Sequence, residues 1–364
     1  QGVTGATAAL ASLDINNAAG SGTIEVTNIG AGAAGVTNAT RIGNGATTTL
    51  TLDGTVYNAN AATYTTTAGE NIDLTNGGTT TFTSTADAIT FATGTVDMAN
   101  GSNLVVNSAG GDISVAGIAG ASVEDVTLNA AAGDVTVGQI GAAAAEINVV
   151  AITGATINLG GNINTDDDGA GQEGNVGLTG AVVLAAAVTI DTSAGNGTVD
   201  LSSTLNGGQT FAISSGTGAV GIGGNIGAGT ALTSLTINAA GTGAITLSGN
   251  IGAGGAGVTG ATAVGNANTT NLTLGGTVYN ANAQTYTATG GNNIALTAGA
   301  ATTFTSSNDA ITFATAGILL GNGSDLAVNT GAGAGNIAVV TITGNTVEDV
   351  TLNAGTGNVA VGLI

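Results

Sequence analysis

The stretch LTSLTINAAGTGAITLSGNIG, residues 232–252, decides the fold. It holds two apolar-x-apolar pairs, Leu235-x-Ile237 and Ile245-x-Leu247, and a single apolar residue, Ile251, four positions on. Alternation with a period of two marks a short strand with one buried face, and the Gly, Asn and Ala between the pairs mark corners. The pattern recurs upstream as Phe211-x-Ile213, Val220-x-Ile222 and Ile226, and as Val188-x-Ile190, Val199-x-Leu201 and Leu205. A further instance is Ile147-x-Val149, Ile157-x-Leu159 and Ile163. The pattern starts at positions 188, 211 and 235, in steps of 23 and 24, and the step from 126 to 147 is 21. Strands this short gain stability only by stacking on like neighbours. Three of them per coil of about 21–24 residues therefore predict an all-β parallel β-helix, a β-solenoid. Ile157, Leu159, Ile190, Leu201, Ile237 and Ile245 are expected to point inward. At about 22 residues per coil the chain would make about 16 coils, a rod on the order of 80 Å long at ~4.8 Å per coil.

A larger period contains the small one. TVYNANA stands at residues 55–61 and again at 277–283, and DAITFAT at 87–93 and 309–315, both offset by 222. VEDVTLNA stands at 123–130 and 347–354, offset by 224 after a two-residue insertion. The chain therefore reads as residues 1–140, a first copy of the super-repeat; 141–222, its unpaired part; and 223–364, a partial second copy, all in one continuous rod. Equal sequence predicts equal strands in the two copies, with the insertion absorbed in the Gly- and Ala-rich segment 331–335.

Composition agrees. The 364 residues include 65 Gly, no Pro, no Cys and no His, and aromatic residues are 2%. Small apolar residues and Thr are strand-forming and suit a narrow interior. Absence of Pro fits stacked coils, in which every strand donates its N–H groups to a neighbour. Asn-Gly pairs at 44, 76, 100, 196, 206 and 322 are expected to supply corners with positive φ. Without Cys there is neither a disulfide framework nor a thiolate metal site. Lys and Arg together number one, Arg41, against 22 Asp and Glu, for a formal charge of −21. A single cation cannot neutralise a phosphate backbone, so nucleic acid is excluded as a partner. Anionic membrane surfaces repel such a chain, and no apolar run is long enough to insert into a membrane. The chain opens on Gln without a basic-then-apolar leader and reads as a mature product or a piece of something longer.

Residues 157–182 (INLGGNINTDDDGAGQEGNVGLTGAV), 188–201 (VTIDTSAGNGTVDL) and 232–252 together resemble the β-strand repeats of filamentous-haemagglutinin-type adhesins and the giant repetitive surface proteins of Gram-negative bacteria. The resemblance implies a right-handed parallel β-helix, export, and a place outside the cell or on its surface. The amino-terminal secretion domain of that family has no counterpart in these residues. The family fixes no catalytic residue.

Several constellations are candidate sites. Some parallel β-helices cleave polysaccharides, but that chemistry needs a base, and here Arg41 stands alone, with Ala263 at its place in the second copy. Acid–base work would fall to scattered carboxylates, so the chain is not expected to be an enzyme or to need a resident cofactor. Asn164, Asp166 and Asp168 followed by Gly169 match the first half of an oxygen-rich calcium loop, and Glu173 stands two positions short of where such a loop closes. These four residues are the candidate Ca²⁺ ligands, against the alternative of a solvated turn. Glu124-Asp125 and Glu348-Asp349 recur in both copies and read as turn caps or a weak cation site. Tyr57, Tyr64, Phe82 and Phe91, each repeated at an offset of 222, could form a sugar-stacking strip or interior stacks, the phenylalanines inside and the tyrosines at an edge. Thr tracts could make a flat ice-binding array or simply favour strands.

The function expected from the residues is structural. The chain would be part of a bacterial surface fibre, sheath or filament, built by stacking and by end-to-end or lateral self-association. The alternative is an adhesin that binds a glycan or a cell-surface receptor through a side face.

Overall fold

The computed structural model describes residues 8–16, 18, 20–30, 35–121, 124–142, 147–166, 174–238, 240–255 and 257–364. Every regular element among them is a β-strand. No helix among the described residues is long and apolar enough to cross a membrane. The chain divides into two compact units, Gln1–Gly180 and Ala181–Ile364.

In the first unit three columns of strands stack in parallel. One column runs from Leu13–Ile15 through Thr40–Ile42, Ala62–Thr65 and Ile89–Ala92 to Ile113–Ala119, with Leu13 over Thr40, Thr40 over Ala62, Ala62 over Ile89 and Ile89 over Ile113. A second holds Val56–Asn58, Thr80–Thr83, Leu104–Asn107 and Asp125–Asn129, so that Tyr57, Phe82, Val106 and Leu128 lie one above another. The third begins with Gly22–Val26, Thr47–Leu52, Asn71–Leu74 and Thr95–Met98. The second unit repeats the plan. Val188–Asp191, Thr210–Ser214, Ser234–Ile237 and Thr262–Val264 stack in one column, and Val199–Leu201, Val220–Ile222, Ile245–Leu247 and Leu272–Leu274 in the next. Leu205, Ile226, Ile251 and Tyr279 align in the third. All-β parallel coils are thus the architecture, as the two-residue alternation predicts.

Coil length lies at the upper end of the expected 21–24 residues, so the turns are fewer. The step between stacked partners is short from Val199 to Val220 and much longer from Ile251 to Tyr279. The coils average about 24 residues, and the chain makes about 14 turns instead of 16. Apart from a bulge between Gly22 and Thr23, the described strand pairs keep their register, and corners absorb the difference. Corners face water and tolerate extra residues cheaply, whereas a slip of one residue in a strand would turn its apolar set outward.

The interior is filled by the apolar members of the alternation. Ile157, Leu159, Ile190, Leu201, Ile237 and Ile245 are all fully buried. One reading fails in detail. Val149 belongs to the strand Val149–Leu159, but the inward pair there is Val150 and Ile152, which stack on Val126 and Leu128. Ile147 is buried just before the strand, bridging to Thr165. Two adjacent valines, Val149 and Val150, hid the phase of the alternation.

Corner geometry follows the Asn-Gly expectation in five of the six pairs. Gly77, Gly101, Gly207 and Gly323 have positive φ, and so does Asn196. At Asn44-Gly45 the positive φ falls instead on Gly43, at 80°. There a Cβ would lie 2.1 Å from the Thr65 carbonyl oxygen of the following coil, so only glycine fits.

The two copies carry the same strands. Val56–Asn58 corresponds to Val278–Asn280, Thr80–Thr83 to Thr302–Thr305 and Ile89–Ala92 to Ile311–Ala314 at an offset of 222. Leu104–Asn107 corresponds to Leu326–Asn329 at 222, but Ile113–Ala119 to Ile337–Thr343 at 224. The insertion therefore lies between Asn329 and Ile337, the segment the sequence points to.

Candidate functional site

The aromatic residues form no surface strip. All nine, four Tyr and five Phe, are buried to 1% exposure or less. Eight of them make two equivalent interior clusters. In the first, Tyr57 stacks on Phe82 at 4.8 Å and Tyr64 on Phe91 at 5.2 Å, while Phe82 and Phe91 meet edge to face at 4.9 Å. In the second, Tyr279 stacks on Phe304 at 4.6 Å and Tyr286 on Phe313 at 5.5 Å. Parallel register at one coil spacing delivers this stacking, since residues in one column face their neighbours at each step. Tyr57 Oη donates to Val26 O at 2.6 Å and accepts from Gly54 N at 3.0 Å, which lets a phenol sit inside. Burial pushes the tyrosine hydroxyls well above their ordinary pKa, first by desolvation.

The calcium-loop candidates are only partly placed. Asn164 donates its Nδ2 to Gly141 O at 3.2 Å, and Asp166 N donates to Ile147 O at 3.0 Å. Asp168 and Glu173 lie outside the described residues. Among the described residues no three His, Cys, Asp or Glu side chains group closely enough to hold a metal ion.

Glu124 is a corner cap. Its carboxylate is fully buried and accepts from Gly101 N at 2.7 Å and Ala121 N at 2.6 Å. Glu348 does the same work in the second copy, accepting from Thr346 Oγ1 at 2.5 Å and from the backbone N–H groups of Asn345 and Thr346, both at 2.8 Å. These bonds, the Thr346 hydroxyl first, hold its carboxyl at about 2, well below the usual range.

Two features escaped the sequence reading. One is a side-chain ladder between coils. Asn28 Oδ1 accepts from Thr55 N and Val56 N, and Asn250 Oδ1 does so from Thr277 N and Val278 N. Asp112 Oδ1 accepts from Asp134 N at 2.9 Å, and Asp134 Oδ1 from Thr156 N at 3.0 Å. The signal was there, as Asn or Asp recurring one coil apart just before a strand. The other is an acidic pair, Asp73 and Asp97, which the register sets side by side on neighbouring strands. Partial burial and then the Asp97 charge raise the carboxyl pKa of Asp73.

The last coil has a different exposure from its counterpart. Val359 and Ile364 are 47% and 77% exposed, while Val135 and Ile140, their counterparts at an offset of 224, are 0% exposed. In the first copy this surface is covered by the next coil. Val150 and Ile152 lie over Val126 and Leu128, Ile157 and Leu159 over Val135 and Val137, and Ile163 over Ile140. That coil also supplies ladder donors, with Asn148 Nδ2 bound to Asp125 Oδ1 at 3.0 Å and Thr156 N to Asp134. Asp349 and Asn358 occupy the corresponding acceptor positions in the second copy. Residues 350–364 thus keep the apolar pattern and acceptor positions of the covered residues 126–140.

The chain matches no protein-family model, no curated protein and no solved structure.

Proposed function

We propose that this protein is a structural β-solenoid of the bacterial cell exterior, of the filamentous-haemagglutinin type its repeats resemble, which builds a fibre or sheath by stacking further coils on its ends. The observation that supports this reading most is the ladder of parallel coils, in which each coil is the template for the next: Val126 and Leu128 lie under Val150 and Ile152, and Val135 and Val137 under Ile157 and Leu159. Each coil of such a ladder presents strand edges on which another coil can stack, and head-to-tail addition of that kind gives an open filament. The next coil can come from continuing chain or from a second copy, and both extend the same ladder. An adhesive side face has less to work with, because the aromatic residues that would stack on a sugar are inside. Calcium bound by Asn164, Asp166, Asp168 and Glu173 belongs to the proposal as a stabiliser. Calorimetric titration with Ca²⁺ tests it, and no heat at millimolar Ca²⁺ removes it.

Light scattering and electron microscopy of the 364-residue chain over a range of concentrations test the assembly. Linear, concentration-dependent multimers are expected, and Val361→Lys, which sets a charge on the stacking face, should shorten them. A monodisperse monomer at high concentration would overturn self-association of this chain.

A further inference from the structure

The two copies differ at one interior position in a way that changes its chemistry. Gln284 is 1% exposed, and its Nε2 donates to Ala281 O at 2.9 Å and to Thr305 O at 2.8 Å. Its Oε1 accepts from Tyr286 Oη at 2.9 Å. One carboxamide thus satisfies a buried phenol and two buried carbonyls together. In the first copy Ala62 stands at this place, also 1% exposed. Its surroundings otherwise match between copies, with Ala59 for Ala281, Thr83 for Thr305, Thr40 for Thr262 and Tyr64 for Tyr286. The Tyr64 ring is held as Tyr286 is, stacked on Phe91 and edge-on to Phe82 at 5.3 Å. Yet Tyr64 Oη, on a residue 0% exposed, has no hydrogen-bond partner within the protein. A phenol so stripped is costly, because it has given up its bonds to water without replacement.

We propose that Tyr64, Ala59 and Thr83 form an interior hydration site. One water molecule accepts from Tyr64 Oη and donates to the carbonyl oxygens of Ala59 and Thr83, taking the parts that Gln284 Oε1 and Nε2 play in the second copy. The phenol needs an acceptor, and the water can donate to Ala59 O and to the second lone pair of Thr83 O, which already accepts from Ala59 N at 3.0 Å; these are the three bonds a buried water typically makes. The four heavy atoms by which glutamine exceeds alanine take more volume than the ~30 Å³ that a water occupies in the liquid, so the shorter residue leaves room for one. An ion does not fit, since the surrounding side chains are neutral and a buried charge there would be unpaired. The site is specific to the first copy, where the shorter residue leaves room.

Tyr64→Phe in the full chain separates a hydrated hydroxyl from a dry one. If the hydroxyl anchors a water, its removal strands that water and lowers the unfolding midpoint, as Tyr286→Phe must lower it by stranding Gln284. If the hydroxyl is dry, Tyr64→Phe removes an unsatisfied group and raises the midpoint or leaves it unchanged, which overturns the proposal. A high-resolution crystal structure gives the second reading. It should show solvent density within hydrogen-bond distance of Tyr64 Oη in the parent chain, and new density beside Tyr286 in Gln284→Ala. Carbon-only contacts around Tyr64 Oη would overturn the site independently of any melting result.

Discussion

Glu124 and Glu348 show how much a single residue's work depends on the coil above it. Both carboxylates gather N–H donors from a corner, but Glu124 is sealed inside while Glu348 is partly open. Glu124→Ala leaves the N–H groups of Gly101 and Ala121 buried without acceptors, so it should destabilise by about 1–3 kcal/mol in urea unfolding. The same change at Glu348 should cost less, since water can reach the donors. Glu348 also carries a pH signature. Its folded pKa is depressed, so its stabilising contribution is complete above the unfolded value of about 4.3. That contribution is lost as pH falls through about 2. A carboxyl titration followed by NMR should give Glu348 a midpoint well below the usual carboxylate range. The sequence marked this Glu-Asp pair by its repetition but left cap and cation site open. Only the donors settle it, because a carboxylate's partners here are backbone groups that no residue name reveals.

At the scale of the element, the strands were legible and the corners were not. Alternation such as Leu235-x-Ile237 states which side chains face in, and the structure agrees because an interior a few residues wide admits only one phase. Corners are read poorly because their contacts are between main-chain groups of successive coils. Gly54 illustrates this. A Cβ there would sit 1.1 Å from Thr27 O of the preceding coil, and nothing in the local sequence announces it. Gly54→Ala should cost about 3 kcal/mol through overpacking against backbone, measured by the unfolding midpoint. A recurring hydroxyl clasp was equally hidden. Ser215 Oγ, just past its strand, donates to Gly218 O at 2.6 Å, and Thr192 Oγ1 spans a longer corner to Gly197 O at the same distance. The clasp lets corners of different length leave the strand in one direction. Coil length can then vary, from the short step Val199 to Val220 to the long step Ile251 to Tyr279, without loss of register. Ser215→Ala should lose about 1–3 kcal/mol, the cost of a buried carbonyl without its donor.

For the molecule as a whole, stacking makes stability a matter of neighbours, and the duplication provides an internal control for that statement. In a solenoid each coil is held by its own propensity and by the coils above and below it. Residues 124–130 and 348–354 have the same sequence, EDVTLNA, and form equivalent strands, Asp125–Asn129 and Val350–Asn353. They differ in cover. Val126 and Leu128 are 0% exposed beneath Val150 and Ile152, whereas Val350 and Leu352 are partly exposed. Any difference in their opening therefore reports the covering coil and not the strand. Native-state hydrogen exchange of the monomeric chain should show the amides of 350–363 exchanging at least tenfold faster than those of 126–139, a gap of about 1.4 kcal/mol or more in local stability. Appending a second copy of residues 141–165 after Ile364 should slow exchange at 350–363 toward the values of the first copy. The same extension should abolish any concentration dependence of that protection by occupying the stacking face. Equal exchange in the two segments of the parent chain would mean that the edge is held by its own strands, and the proposed growth of the solenoid by coil addition would lose its driving force.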